Sequence, residues 1–314
     1  MNVGAGYFVI KSQAMERLSW NALGCPCELT LSGGNRAGTL LKCAQEWVAC
    51  FESRYSRFIE SSLVGQINAR AGTGEWVEVD AECEALFELC DSLNFITRGV
   101  LDPTMGPLIR LYYKASKFPE ASEIEAAMRI IGWQRVERAS GRVRLPAGMS
   151  LDLGGFGKEY AVDRVAEIFE AGGVESYLIN FGNDVRVLGQ PEGRPCWQIG
   201  VEDPNVLDTA VTAIGLTRGA VAASGNYRRF IEHKGKRFGH IIDPRTGYPV
   251  ANGVRAVHII ADSCLEAGVH STSAFILGAV EGLELIETAY GLEGIIIGEE
   301  ASYRSQGFTD YEIR

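Results

Sequence analysis

The sequence predicts a mixed fold of helices and strands, α/β or α+β in class, forming one compact unit with two lobes. Segments with helical spacing of apolar residues alternate with short strand-like segments, and no repeat, low-complexity run or extended linker interrupts them. Hydrophobic residues make up 46% of the 314 positions and charged residues 22%, as in a well-packed globular protein. We therefore expect an amino-terminal segment at 1–20 and one domain at 21–314.

In the first half, alternating apolar residues predict strands, and apolar residues on one helical face predict helices. A capping box at Ser122 begins a short helix. A Ser140-Gly141 turn separates the last two strands. In chain order, the predicted elements are a strand at 27–31, helices at 39–53, 81–98 and 122–132, and strands at 134–137 and 142–145.

The second half opens with an amphipathic helix that stops at Gly172-Gly173, and Gly182-Asn183 breaks the two strands that follow. Later strands alternate with turns, and two helices precede a final strand. In chain order, these elements are a helix at 159–171, strands at 176–181 and 184–188, strands through Ile199, 211–216, Val221 and 254–260, helices at 265–277 and 280–290, and a strand at 294–297.

Composition excludes several classes of function. The net charge of −10 and the pI near 5.1 argue against a nucleic-acid surface, which needs clustered Lys and Arg. No window approaches the ~20 apolar residues of a membrane span, and the first 20 residues lack the apolar core of a secretory signal. We therefore expect a cytoplasmic protein, whose eight cysteines are free thiols rather than a disulfide framework.

The most informative segment is LDLGGFGK at 151–158, where three glycines precede a helical pattern that begins with Lys158. Glycine allows close approach of a ligand to the backbone, and the N–H groups at a helix start favour anions. Asp152 and Lys158 flank the turn with opposite charges. Taken alone, the segment favours an ordinary connection between a strand and a helix.

Three further motifs accompany this segment: GVLDPTMGPL at 99–108, ASGNYRR at 223–229 and HIIDPRTGYP at 240–249. Together, and in this order, the four motifs resemble those of the ApbE family of flavin transferases, the FAD:protein FMN transferases. The patterns of that family include GxFDPTxGPL, DLGGIAKGYAVDR, SGDYRR and HIIDPRTGYP. The resemblance runs from about Leu23 to about Ile297.

The resemblance implies a T-fold-like ApbE architecture with flavin bound between the lobes. It also implies an enzyme that cleaves FAD and attaches FMN to a Thr or Ser of an acceptor flavoprotein. Splitting the FAD pyrophosphate requires neutralised phosphates, a polarising cation and a base for the incoming hydroxyl. The cation implied by the family is Mg²⁺.

The family's functional residues map onto this chain position by position. His240 matches the candidate acid or base, with Asp243 as a structural or orienting neighbour. The divalent ion would be bound by the Gly155 carbonyl and the Thr272 hydroxyl. The loop 224–229 is expected to shape the site. The residues that match flavin contacts are Leu23, Phe58, Val100, Leu101, Asp102, Asp152 and Lys158.

Each of these residues also has a structural interpretation. Asp102 can cap the start of a helix, and Asp152 and Lys158 can be surface charges beside a tight turn. Leu23 and Phe58 can belong to the core, since apolar and aromatic residues usually do.

One position departs from the family pattern, which reads approximately SAMxADALATALFVLG. Gly268 stands where the family has its metal-binding Asp, whereas Thr272 is kept. Losing a carboxylate ligand predicts weak binding of Mg²⁺, a hard cation that prefers oxygen. His270 lies about 200° around the helix from Gly268 and cannot replace the carboxylate, and Glu266 is displaced in the other direction.

The departure leaves three functions open. The first is an FMN transferase, with activity lowered by the altered metal site. The second is a non-catalytic FAD-binding homologue, and the third is an FAD pyrophosphatase that releases FMN and AMP. The acceptor protein and the oligomeric state do not follow from the sequence.

Overall fold

A computed structural model describes residues 8–11, 15–114, 118–206, 208–228, 230–233 and 235–313. The chain forms two compact units. The first unit comprises Met1–Glu52, Phe156–Gly225 and Gly253–Arg314, and the second comprises Ser53–Gly155 and Asn226–Asn252.

The α-helices are α1 (Ala37–Tyr55), α2 (Leu63–Ala69), α3 (Ala81–Ile96), α4 (Gly106–Lys114), α5 (Ala121–Met128), α6 (Gly157–Ala171), α7 (Cys264–Leu277) and α8 (Ala279–Thr288). The strands are β1 (Phe8–Lys11), β2 (Met15–Ala22), β3 (Cys25–Ser32), β4 (Val77–Glu78), β5 (Glu137–Ala139), β6 (Arg142–Arg144), β7 (Tyr177–Phe181), β8 (Asp184–Leu188), β9 (Trp197–Glu202), β10 (Ala210–Leu216), β11 (Arg218–Gly225), β12 (Phe230–His233), β13 (Lys236–Gly239), β14 (Val254–Ala261), β15 (Glu293–Gly298) and β16 (Ser302–Arg304).

A large antiparallel sheet organises the first unit. Over the described residues it has nine strands in the order β1-β2-β3-β7-β8-β11-β14-β15-β16. Strand β7 alternates buried and half-buried residues, as expected for a strand with one face on a core, whereas β14 is buried along most of its length. Helices α6, α7 and α8 pack on this sheet, with α7 lying against β11 and β14.

The start of α7 is fixed to α6 by one carboxylate. Asp163 of α6 accepts hydrogen bonds from the backbone N–H groups of Cys264 (2.9 Å) and Leu265 (2.8 Å), the first residues of α7. These N–H groups lack partners within their own helix, and a negative charge at that end is favourable. Arg186 pairs with the same carboxylate at 2.6 Å. Asp163 therefore sets the position of α7 relative to α6.

The second unit is built around a smaller helical core, in which α4 packs against α5. The buried cluster at its centre consists of Met105, Leu108, Tyr112, Ile124, Ala127 and Ile242. The buried hydroxyl of Tyr112 donates to the carbonyl of Gly247 at 2.8 Å. Gly247 has φ +79°, a backbone conformation that glycine adopts readily. A three-stranded sheet, β4-β6-β5, and the hairpin β12-β13 complete the unit.

The structure confirms the mixed helix and strand class and most of the predicted elements. One predicted strand is wrong, because residues 133–135 form a 3₁₀ turn and β5 begins only at Glu137. The indole of Trp133 donates to Asp91 at 2.7 Å and its backbone N–H donates to Asp102 at 3.0 Å. These tertiary contacts hold the turn against the strand preference of the segment.

Of the helices that the structure describes, none combines the length and apolar character needed to cross a membrane. The eight cysteines are free thiols; Cys43 and Cys50 are exposed rather than buried.

Candidate functional site

In the second unit, Asp152 organises the glycine-rich loop. Its Oδ1 accepts the N–H of Gly154 at 2.9 Å, and its Oδ2 lies 2.7 Å from Nε of Arg57. The Asp152 side chain is only 8% exposed, so the ion pair is largely shielded from water. The predicted site residue Asp152 therefore shapes the loop and positions a guanidinium group.

The same loop is anchored by Asn68 of α2. The side-chain amide of Asn68 donates to the Leu151 carbonyl at 3.0 Å and accepts the Leu151 N–H at 2.6 Å. Both backbone groups of a fully buried residue are thereby satisfied. This two-point contact fixes the strand-like segment from which the loop departs.

A cavity of about 310 Å³ lies beside these residues in the second unit, and its lining includes Arg57, Asn68 and Arg110. Arg110 donates to the Ser150 hydroxyl at 2.8 Å. Burial lowers the pKa of Arg110, the neighbouring Arg57 lowers it further, and Asp152 opposes the shift. Two guanidinium groups at one cavity provide donors that suit a phosphate or carboxylate.

The predicted flavin contact Asp102 has structural partners. Its Oδ1 accepts the N–H of Thr104 at 2.7 Å and the Thr104 hydroxyl at 2.6 Å, and its Oδ2 accepts the N–H of Trp133. The Thr104 hydroxyl in turn accepts the N–H of Gly132 at 2.7 Å. Asp102 thus ties the turn before α4 to the 3₁₀ turn, which agrees with the structural alternative.

The backbone of the 100–102 segment lies close to the glycine-rich loop. The N–H of Asp152 donates to the Pro103 carbonyl at 2.7 Å. The Leu101 side chain lies 3.7 Å from where a Cβ on Gly155 would stand. Val100 is half-buried and Leu101 buried. The structure therefore brings together the predicted residues of these two motifs.

Phe58 and His240 both belong to the second unit. Phe58 is 78% exposed, with the Arg57 guanidinium 4.1 Å from its ring centroid, so the core alternative is wrong for this residue. His240 directly follows β13 and is half-buried. The Asp243 carboxylate binds the side chain and N–H of Arg245 within its own turn, which favours the structural interpretation of Asp243.

In the first unit, Lys158 lies in the first turn of α6 and forms an ion pair with Asp184 of β8. The Asp184 side chain is 2% exposed and that of Lys158 is 26% exposed. Phe156, which precedes α6, provides no side-chain cap for the helix start. The first N–H groups of α6 and a partly exposed ammonium group thus form a donor set for an anion.

Thr272, the predicted metal ligand, lies on α7 in the first unit. Its Oγ1 is 3.0 Å from Oγ of Ser224, which is also 2.9 Å from Oγ of Ser271. Ala223, next to Ser224 on β11, donates its N–H to Asp184 at 3.4 Å. The hydroxyl groups on α7 are therefore linked through β11 to the Lys158–Asp184 pair.

Leu23 occupies the turn between β2 and β3, with φ +54°. Its N–H donates to the Glu52 carboxylate at 2.8 Å. Half-buried in this turn, Leu23 does not belong to the apolar core.

The described residues include no group of three or more His, Cys, Asp or Glu side chains arranged to hold a metal ion. The oxygen donors nonetheless suit a hard cation, namely the Thr272 hydroxyl in the first unit and the Gly155 carbonyl in the second. Beside Gly268 lies the carboxylate of Glu159, whose Oε2 is buried and accepts no hydrogen bond. The Nδ1 of His270 contacts the Glu266 carbonyl of its own helix at 2.8 Å. Within the first unit, the Thr272 hydroxyl and the Glu159 carboxylate are oxygen donors of the kind that Mg²⁺ prefers.

The chain matches the sequence profile of the ApbE family over residues 23–296, and it belongs to that family. It is 31% identical over 249 residues to the FAD:protein FMN transferase of Haemophilus influenzae, covering 75% of this chain and 71% of that protein. The corresponding protein of Treponema pallidum is 28% identical over 272 residues, covering 80% and 75%.

Solved structures agree with this assignment. The chain resembles the ApbE protein of Thermotoga maritima with a TM-score of 0.87 and 31% identity, covering 98% of this chain and all of that one. The flavinyl transferase ApbE of Pseudomonas stutzeri has the same fold, with a TM-score of 0.83, 24% identity and coverage of 99% and 98%. The predicted ApbE architecture is confirmed.

Sequence reasoning missed several residues of these sites. Arg57 directly precedes the predicted residue Phe58, so proximity to a predicted site residue was an available signal. Asn68 and Asp184 carry no such signal, because their partners Leu151 and Lys158 are distant in sequence.

Proposed function

We propose that this chain is an FAD:protein FMN transferase, which cleaves the pyrophosphate of FAD and transfers FMN to a Thr or Ser hydroxyl of an acceptor flavoprotein. The observation that carries the proposal is the ApbE family match, which spans both motif-bearing units and includes the uncapped start of α6. The relatives bearing that name supply the reaction.

In the proposed reaction, the acceptor oxygen attacks the phosphorus on the FMN side. A new P–O bond forms, the bond to the AMP oxygen breaks, and AMP leaves. The hydroxyl proton passes to a base, for which His240 is the candidate. Lys158 and the N–H groups at the start of α6 bind phosphate oxygens. When bound, Mg²⁺ would neutralise charge that develops on the phosphates.

Two ligands are proposed for the cation: the backbone carbonyl of Gly155 and the side-chain hydroxyl of Thr272. The flavin contacts proposed at Leu23, Phe58 and Val100–Asp102 rest on the family resemblance. Asp102 would contribute to flavin binding indirectly, by stabilising the turn before α4. The cytoplasmic location stays a prediction from the sequence.

One experiment separates the three functions. The purified chain is incubated with FAD and Mg²⁺, together with a peptide that carries one Thr or a matched peptide with Val. A transferase releases AMP and adds FMN to the Thr peptide alone, as measured by chromatography and mass spectrometry. FMN released without peptide modification would identify a pyrophosphatase. Bound FAD without AMP release would identify a binding homologue.

A further inference from the structure

Glu159, in the first turn of α6, fills the space beside Gly268 of α7. A Cβ built on Gly268 would lie 2.5 Å from Cγ, 3.1 Å from Cδ and 3.2 Å from Oε1 of Glu159. Contacts under 3.0 Å are essentially never made by real Cβ atoms. A side chain at position 268 is therefore excluded while Glu159 keeps this position. Glu159 therefore occupies the space that a side chain at position 268, such as the family's Asp, would need.

The packing of α6 on α7 fixes this arrangement. Asp163, one turn after Glu159 on the same face of α6, caps α7 at Cys264 and Leu265. Gly268 is one turn further along α7 than Cys264. The contact that anchors α7 thus also brings the Glu159 carboxylate against Gly268.

One oxygen of the Glu159 carboxylate has no hydrogen-bond partner. Its side chain is 13% exposed, and its Oε1 lies 3.9 Å from Nζ of Lys158. Its Oε2 is buried and accepts no hydrogen bond. A buried carboxylate oxygen without a partner is costly unless a cation or donor satisfies it. Thr272, one turn beyond Gly268 on the same face of α7, places a hydroxyl on that side.

The family patterns that this chain resembles differ from it at the same two positions. The family patterns have Gly where this chain has Glu159, and Asp where it has Gly268. We propose that Glu159 supplies from α6 the carboxylate ligand for the divalent cation, in place of the family's Asp on α7. The proposal rests on the proposed function for its cation. It replaces the expectation of a weak site with that of an intact site rebuilt from the neighbouring helix.

The test is a calorimetric titration of Mn²⁺, a stand-in for Mg²⁺, into the full chain, alone and saturated with ADP. Glu159→Gln keeps the shape of the side chain and removes its charge. We expect it to weaken Mn²⁺ binding about tenfold or more. Glu167→Gln, on the exposed side of the same helix, is the matched control and should leave the affinity unchanged. Thermal melting checks that each variant is folded.

The double exchange Glu159→Gly with Gly268→Asp restores the family arrangement. We expect it to bind Mn²⁺ within about threefold of wild type, since one carboxylate ligand is again present. Gly268→Asp alone should melt at a lower temperature and bind Mn²⁺ no more tightly than wild type, because its Cβ collides with Glu159.

A separate titration with FAD distinguishes failure of the Glu159 assignment from failure of the proposed function. If wild type binds FAD but Glu159→Gln binds Mn²⁺ as wild type does, the assignment of Glu159 is overturned while the proposed function stands. The same holds if wild type binds FAD but no Mn²⁺ in either condition. Failure to bind FAD at all would overturn the proposed function, and the assignment of Glu159 with it.

Discussion

Replacing Lys158 with methionine would leave the Asp184 carboxylate buried without its cation. The Asp184 side chain is 2% exposed, so water cannot take over the role of the ammonium group. Removing one partner of a buried ion pair costs about 3–5 kcal/mol. We expect Lys158→Met to lower the free energy of unfolding by that amount.

Replacing the other partner of the ion pair, Asp184, should lower the free energy of unfolding by less. In Asp184→Asn, the Lys158 ammonium group is 26% exposed and can turn toward water, and the amide can still accept the Ala223 N–H. We expect a loss of about 1–2 kcal/mol. The double variant should recover part of the larger loss, because neither charge is then left unpaired.

Urea unfolding at neutral pH, followed by circular dichroism, measures the three variants against wild type. The coupling energy from this double-mutant cycle should be about 2 kcal/mol or more. Single losses that add to within about 0.5 kcal/mol would show that the two residues do not interact, and the reasoning from burial would then be wrong.

Two further predictions concern pH and the glycine-rich loop. Burial lowers the pKa of His258 to about 4, with Glu202 opposing the shift, so below pH ~6.5 the unfolded chain binds a proton that the folded chain does not. The free energy of unfolding should fall by about 3 kcal/mol between pH ~6.5 and ~4, and His258→Leu should remove that part of the slope in urea titrations at each pH. Asn68→Ala breaks both hydrogen bonds to Leu151 and should lower the free energy of unfolding by about 2–3 kcal/mol; a loss below about 0.5 kcal/mol would contradict the anchoring role.

The elements that sequence predicted well are those whose signals are local. Helix α7 was predicted at 265–277 and runs Cys264–Leu277, because its apolar residues lie within one short window. Helix α4 was missed, since its first residues belong to a motif read for its chemistry. The four motifs identified the ApbE family because each is contiguous in the chain.

The sequence by itself determined the family and the mixed fold class. Only the tertiary structure decided which charges meet. Asp152 and Lys158 were expected to flank one turn, yet Asp152 pairs with Arg57 and Lys158 with Asp184. Ion pairing depends on distance and burial in space, and spacing along the chain does not report either for residues on different elements.

Gly268 shows the same limit most clearly. The sequence pattern of α7 alone indicates that a carboxylate ligand is lost at Gly268, because helical periodicity relates only residues of the same helix. The packing of α6 on α7, set by the Asp163 cap, brings Glu159 into the space that glycine leaves open. A substitution on one helix and its counterpart on another are linked only by side-chain packing, so the tertiary structure alone relates them.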